Sequence, residues 1–183
     1  MKKRLLFSFI FIFILNLASF AYETLIIDFP PKTIWDVVYY RHIGTEAILQ
    51  YVPSGQTYED WTQSIIVHSY KENELSANQL SDRLIAQLKV QNPTGSYRYV
   101  TYTPTNAIAV RTTNNYKNIK GHGEIFRTTR CAEGRMTIQY LDRDKEHFRK
   151  NYGYWLKVIR DARTYNSYWR DERIMNKGEF YEL

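Results

Sequence analysis

The stretch from Ile48 to Tyr70 constrains the fold more than any other part of the chain. Two strand-like runs, Glu46–Val52 and Trp61–Tyr70, flank the tripeptide Pro53-Ser54-Gly55. Proline presets a turn dihedral and glycine accepts the unusual backbone angle that a turn requires. In the second run, alternation places three apolar side chains on one face: Trp61, Ile65 and Val67. We therefore predict an antiparallel hairpin with one face against the core.

Two further elements are expected before this hairpin. Tyr22–Phe29 is predicted as a strand that Pro30 and Pro31 end. Thr33–His42 is predicted as a short helix, because prolines favour helix starts and three apolar residues would share one face. Those residues are Ile34, Val37 and Val38.

Two helices and four strands are expected after the hairpin. Ser76 and Gln79 have the spacing of a capping box, and the apolar residues that follow recur at helical intervals. The four strands are predicted at Tyr97–Thr103, Ala107–Thr113, Glu124–Cys131 and Arg135–Leu141. Asp144 is a candidate N-cap for a long closing helix. Its apolar stripe comprises Phe148, Tyr152, Trp155, Ile159 and Ala162.

This order of elements predicts an α+β fold, with helices on one or both faces of a mostly antiparallel sheet. We expect a single domain over residues 22–163 and an aromatic, basic extension over residues 164–183. A chain of this length can bury a sizeable core.

The first 21 residues are typical of a secretory signal peptide. A basic start, Lys2-Lys3-Arg4, precedes an apolar run, and Ser19 and Ala21 have the small side chains that cleavage requires. The alternative is an uncleaved anchor, but the apolar run is shorter than a spanning helix needs. Cleavage after Ala21 would lower the net charge from +6 to +3, since this segment has three basic and no acidic residues. We therefore expect export to the periplasm or the medium, with no membrane span after cleavage and no nucleic-acid partner.

The hairpin also carries a family resemblance. Gln50-Tyr51-Val52-Pro53, Gly55-Gln56 and Trp61-Thr62 resemble an opening that recurs in uncharacterised small exported proteins of Gram-negative bacteria. From Glu46 to Arg163, the order of elements resembles the PsbP-like α-β-α sandwich. The resemblance implies an exported accessory or interaction module, and it implies no catalytic residues.

His122 and Glu124 form the most site-like pair in the sequence. The flanking Gly121 and Gly123 would leave the imidazole accessible, and Glu124 could orient it. If the chain is an enzyme, these two residues are the expected acid–base pair of a small envelope-modifying hydrolase. Cys131 lies on the same predicted strand, and about 30 Å of extended chain would separate it from His122. A Cys–His nucleophile is therefore not expected.

Metal and cofactor sites are not expected. The four histidines, His42, His68, His122 and His147, are scattered and lack metal-binding spacing. Asp142 and Asp144 flank a helix start, where carboxylates accept from free N–H groups. A single cysteine allows no internal disulfide, so Cys131 is either buried or paired with another chain.

Aromatic residues supply the candidate binding surfaces. Strand parity with Ile65 favours a core position for Trp61, and the alternative is a surface anchor. Tyr97 and Tyr99 could bind protein or glycan, or could be ordinary strand residues. Tyr168 and Trp169 lie in the extension, which either docks on the domain or forms a binding arm. The leading hypothesis is a non-catalytic exported module that binds a protein of the envelope or outside the cell; the alternatives are the hydrolase and a peptidoglycan-binding module.

Overall fold

The computed structural model describes residues 23–131 and 134–166. The strands are β1 Glu23–Ile26, β2 Trp35–Ile43, β3 Glu46–Pro53, β4 Gln63–Lys71, β5 Ser96–Tyr102, β6 Asn106–Thr112, β7 Gly123–Cys131, β8 Gly134–Asp142 and β9 Arg163–Asn166. The helices are α1 Ala77–Gln91 and α2 Lys145–Asp161. The predicted signal peptide lies outside the described residues.

A seven-stranded sheet organises the described residues, in the order β2-β3-β4-β8-β7-β6-β5. All its pairings are antiparallel. With two helices beside this sheet, the chain has the predicted α+β fold. The separate pair β1-β9 brings the two ends of the described chain together, with Glu23 opposite Asn166.

The predicted hairpin is present as β3 and β4, which pair from Glu46 opposite Tyr70 to Tyr51 opposite Ile65. Gly55 has a φ of 84°, and the amide of Gln56 donates to the carbonyl of Pro53, so the turn chemistry is as expected. The second strand begins at Gln63 rather than at Trp61.

The predicted helix at Thr33–His42 is wrong, because this segment is the edge strand β2. The run contains two valines and two tyrosines, which favour strands, and β3 offers it a complete antiparallel partner. Ile34, Val37 and Val38 have helical spacing in the sequence, but in the structure Val38 is the extra residue of a β-bulge between Val37 and Tyr39. Tertiary pairing thus overrides a weak local helix signal.

Both long helices begin where the sequence predicts. The Ser76 side chain accepts from the Gln79 backbone N–H, and the Gln79 side chain accepts from Ser76, which completes the capping box. Asp144 caps α2 by accepting from the N–H groups of Glu146 and His147. At the other end of α2, Arg127 Nη1 donates to the carbonyl oxygens of Ile159 and Ala162.

Two clusters of buried side chains hold the helices to the sheet. In the larger, Trp155 of α2 stacks on Tyr140 of β8 with ring centroids 3.8 Å apart. Phe148 and Ile159 belong to the same cluster, as the predicted stripe requires. In the smaller cluster, α1 contributes Ile85, which lies with Ala109 and Phe126.

Candidate functional site

Polar side chains concentrate at one end of the seven-stranded sheet. The register places Ser96, Thr112, Gly123, Asp142 and Gln63 side by side on five successive strands from β5 to β4. Two groups of titratable side chains lie next to this row, and we describe each in turn.

The first group, which we call the Glu124 cluster, comprises Tyr97, Arg111, His122 and Glu124. Arg111 and Glu124 are directly opposite on β6 and β7, and Arg111 Nη1 lies 3.4 Å from Glu124 Oε2. His122 Nε2 lies 3.6 Å from the same oxygen, and the Arg111 guanidinium lies 5.2 Å from the centre of the Tyr97 ring. The structure thus brings together three of the predicted site residues, and it adds Arg111, which the sequence did not single out.

Burial limits what the Glu124 cluster can do. Glu124 is 2% exposed and His122 is 8% exposed, so neither side chain is open to a substrate. Arg111 Nη2 also donates to the carbonyl of Leu88 near the end of α1, at 3.5 Å. Burial raises the pKa of Tyr97, against the opposing effect of Arg111. These contacts tie three strands to α1, and the cluster therefore has the geometry of an internal brace.

The prediction that glycines leave His122 accessible is wrong. A Cβ at Gly123 would lie 2.3 Å from the Phe148 ring, and one at Gly121 would lie 2.7 Å from the Thr113 carbonyl oxygen. The missing side chains allow close packing on both sides of His122, and this packing buries the imidazole. Its Nδ1 lies 3.1 Å from the carbonyl oxygen of Lys120.

Cys131 lies at the opposite end of β7 from His122. Its side chain is buried in the larger cluster. The length of β7 separates the thiol from the imidazole, as the spacing predicted.

The second group is a pair that the sequence did not predict, Asp142 and His147. His147 Nδ1 lies 2.6 Å from Asp142 Oδ2, and the Tyr140 hydroxyl donates to the same oxygen at 2.7 Å. Asp142 Oδ1 accepts from the backbone N–H of Asp144. Burial, followed by this hydrogen bond to Asp142, raises the pKa of Tyr140.

The Asp142–His147 pair differs from the Glu124 cluster in its access to solvent. The His147 side chain is 40% exposed, whereas Asp142 is buried. A buried carboxylate that accepts from Nδ1 orients an imidazole and leaves Nε2 as the basic nitrogen. The Gln63 side-chain amide on β4 lies 3.3 Å from the same Nδ1. The sequence signal that points to this pair is an aspartate at the end of a strand, five residues before a histidine in the first turn of a helix.

A cavity of about 270 Å³ also opens at this end of the sheet. Its lining offers hydroxyls, one amide and two cations, from Thr94, Ser96, Thr112, Asn114, Lys145 and Arg149. Lys145 Nζ donates to Asn114 Oδ1 at 2.7 Å, and Arg149 pairs with Glu146. Intramolecular partners thus engage both cations.

Trp61 lies neither in β4 nor in the core. It is half-buried, and the Arg143 guanidinium lies 3.9 Å from its ring centre. Arg143 also donates to the backbone carbonyls of Trp61 and Glu59. The expected core position is therefore wrong, because the β4 pairing starts two residues later and leaves Trp61 in the preceding loop.

Tyr99 and Tyr102 form an exposed pair on the edge strand β5. Their hydroxyls donate to the two carboxylate oxygens of Asp82 on α1, each at 2.6 Å, and the rings are 4.6 Å apart. A bulge at Val100 places both tyrosines on the same face as Tyr97, whose ring contacts Arg111 instead. The other two predicted binding residues, Tyr168 and Trp169, lie outside the described residues.

Comparison with known protein families, with curated proteins and with solved structures gives no significant match. Within the part of the chain that the structure describes, neither helix has the length and apolar character needed to cross a bilayer. Across residues 23–131 and 134–166, no group of three or more His, Cys, Asp or Glu side chains is placed to hold a metal ion.

Proposed function

We propose that this chain is an exported accessory module that binds another protein, in the periplasm or outside the cell, along the edge strand β5. The observation that carries the proposal is the exposed Tyr99–Tyr102 pair beside the outer edge of β5. The basic and apolar start of the chain supports export.

The tyrosine pair has the properties of a binding anchor. Val100 is exposed beside it, and Tyr102 is 49% exposed. Because Asp82 holds both hydroxyls, the rings lose little conformational freedom when a partner covers them. Aromatic side chains that present apolar area at low entropic cost are enriched at protein interfaces.

The edge strand sets the chemistry of the partner. Among the described residues, β6 is the strand that pairs with β5, so the other edge of β5 offers its backbone groups to an extended segment. Arg98 is exposed on the same strand and lies on the face opposite to Tyr99. The partner segment we propose therefore has an apolar residue against the tyrosines and an acidic residue near Arg98.

We further propose that the fold is an α-β-α sandwich. Ile125 and Phe126 are neighbours on β7. Ile125 belongs to the larger buried cluster, which includes α2, and Phe126 belongs to the smaller one, which includes Ile85 of α1. Adjacent strand residues point to opposite faces. This assignment supports helices on both faces of the sheet.

Site-specific crosslinking in cells tests the binding proposal. A photo-crosslinking residue at Val100 should capture one protein, and the same residue at the exposed Val90 on α1 serves as the control. The captured protein should then bind the purified module in vitro, and Tyr99→Ala with Tyr102→Ala should weaken that binding about tenfold or more. Capture at Val90 but not at Val100 would contradict the proposal, as would binding that is unchanged in the double variant.

Two further measurements test export and the glycan-binding alternative. Fractionation of cells should place the processed chain in the periplasm or the medium, and an uncleaved chain in the cytoplasm would refute export. Co-sedimentation with purified peptidoglycan that depends on Tyr99 and Tyr102 would instead indicate the glycan-binding alternative.

A small envelope-modifying hydrolase is the second candidate, because the buried Asp142 carboxylate orients the partly exposed His147 imidazole as in an acid–base pair. His122 and Glu124 serve this function less well, since both are buried. His147→Ala should abolish release of soluble fragments from peptidoglycan if the hydrolase hypothesis is correct. His68→Ala is the matched control, because His68 also pairs with a carboxylate, that of Glu46 at 3.2 Å.

A further inference from the structure

The outer edge of β2 is the second open edge of the sheet. Among the described residues, β3 is the strand that pairs with β2. Four apolar side chains are exposed along this edge, and one of them, Ile34 directly before β2, is 75% exposed. The other three are Val37, Tyr40 and Ile43. A long edge with exposed apolar residues favours pairing with another strand.

The bulge in β2 determines which residues share a face. Val37 is opposite Tyr51 and Tyr39 is opposite Gln50, so Val38 is the extra residue. Asp36 and Arg41 therefore lie on one face, although five residues separate them in the sequence. Their partners on β3, Val52 and Ile48, are four residues apart and confirm the shared face.

We propose that a second copy of this chain pairs with β2 in antiparallel orientation, about a two-fold axis at Tyr39. With Val38 set aside as the extra residue, this axis places Asp36 opposite the partner's Arg41 and Arg41 opposite the partner's Asp36. Directly opposite charges of unlike sign stabilise an antiparallel pair, and two-fold symmetry makes the contact twice.

The two charges are available for this contact. Asp36 and Arg41 are exposed, and neither side chain has an ion pair or hydrogen bond within the described part of the chain. A register centred on Arg41 would set that residue against the partner's Arg41, and like charges in this position are destabilising. The charges therefore favour the axis at Tyr39 over that shifted register.

The exposed apolar residues agree with the same register. Val37 lies opposite the partner's Tyr40, and Ile34 lies opposite the partner's Ile43. Val37 and Tyr40 share one face, since their partners on β3 are Tyr51 and Leu49. Each exposed apolar side chain of the edge thus meets an apolar side chain of the other copy, which adds to the charge complementarity.

This self-association uses the edge opposite to β5. It does not depend on the function proposed above, because joining two sheets through β2 leaves both copies of β5 open. It would present two copies of the tyrosine pair to a partner.

Charge exchange tests the proposal in the purified, processed protein. Sedimentation velocity should show a dimer whose dissociation constant rises about tenfold or more in Asp36→Arg and in Arg41→Asp, because each variant sets two like-charge pairs in the interface. Combining both substitutions in one chain should bring the dissociation constant back to within about threefold of the original. Glu74→Arg, at an exposed acidic position away from β2, is the control and should leave the dissociation constant unchanged.

Crosslinking locates the two-fold axis independently. Tyr39→Cys should form a disulfide-linked dimer under mild oxidation, because directly opposite residues lie within disulfide reach. Val100→Cys on β5 and the unsubstituted chain, which retains Cys131, are the controls. A monomer at all concentrations, crosslinking through Val100→Cys in place of Tyr39→Cys, or a folded double charge variant that does not recover the dimer would each overturn the proposal.

Discussion

Neutralising Glu124 should destabilise this protein more than a typical single substitution. Glu124→Gln removes the negative charge that lies 3.4 Å from the buried Arg111 guanidinium and 3.6 Å from His122. Breaking a buried ion pair by removing one partner costs about 3–5 kcal/mol, since the other charge stays buried without compensation. Arg111 keeps its hydrogen bond to Leu88, so we expect a value near the lower end of that range.

Urea unfolding measures this loss directly. With a slope of about 2 kcal/mol per molar urea, a loss of about 3 kcal/mol lowers the unfolding midpoint by about 1.5 M. Glu74→Gln, at an exposed position, should change the free energy of unfolding by less than about 0.5 kcal/mol. It therefore controls for the chemical change itself.

A double variant separates a charge effect from a packing effect. Arg111→Met with Glu124→Leu replaces the pair by apolar side chains of similar size, and such replacements are often close to neutral. The double variant should therefore be more stable than Glu124→Gln alone. If Glu124→Gln instead stays within about 1 kcal/mol of the original protein, the carboxylate is in contact with water. The internal brace would then be refuted, and an acid–base role for His122 would regain support.

Three other predictions follow from local features. Gly123→Ala should destabilise the protein by about 1–3 kcal/mol, because its Cβ would meet the Phe148 ring. Gly153→Ala should instead stabilise α2 by up to about 1 kcal/mol, because the space around its Cβ is open. Thermal unfolding of the two variants measures both changes. Ser76→Ala should cost about 1 kcal/mol through loss of the capping box, measured by urea unfolding with the same slope as the original protein. Burial, and then the hydrogen bond to Asp82, raises the pKa of Tyr99 to about 12. The stability that the Tyr99 hydroxyl contributes is therefore complete below about pH 10 and is lost as the pH rises towards 12. Tyr99→Phe should flatten this part of the plot of unfolding free energy against pH, and an unchanged plot would contradict the assignment.

Local signals in the sequence predicted the elements that depend on local chemistry. The Ser76–Gln79 capping box, the Asp144 N-cap and the apolar stripe of α2 all involve residues within a few turns of each other. The β3–β4 hairpin was predictable for the same reason, since Gly55 and the alternation in β4 act over short distances.

Features that depend on distant partners were not predictable in this way. The sequence of Thr33–His42 favours a helix because apolar residues follow two prolines at helical spacing, and only the pairing with β3 reveals a strand. The burial of His122 is not evident from its neighbours in the sequence, because Phe148, 26 positions after His122, fills the space beside Gly123. The sequence does not predict the Asp142–His147 pair, because a carboxylate at a helix start usually caps the helix, and here Asp144 is the cap.

The pairing of β1 with β9 has a consequence for rearranging the chain. Glu23 and Asn166 are directly opposite, so their Cα atoms are within reach of a short turn. A circular permutant of residues 23–166 would join the two positions and open new termini in the exposed loop between Pro53 and Gln63. In that rearranged chain, β1 and β9 would become a covalent hairpin, and the seven-stranded sheet would keep its order.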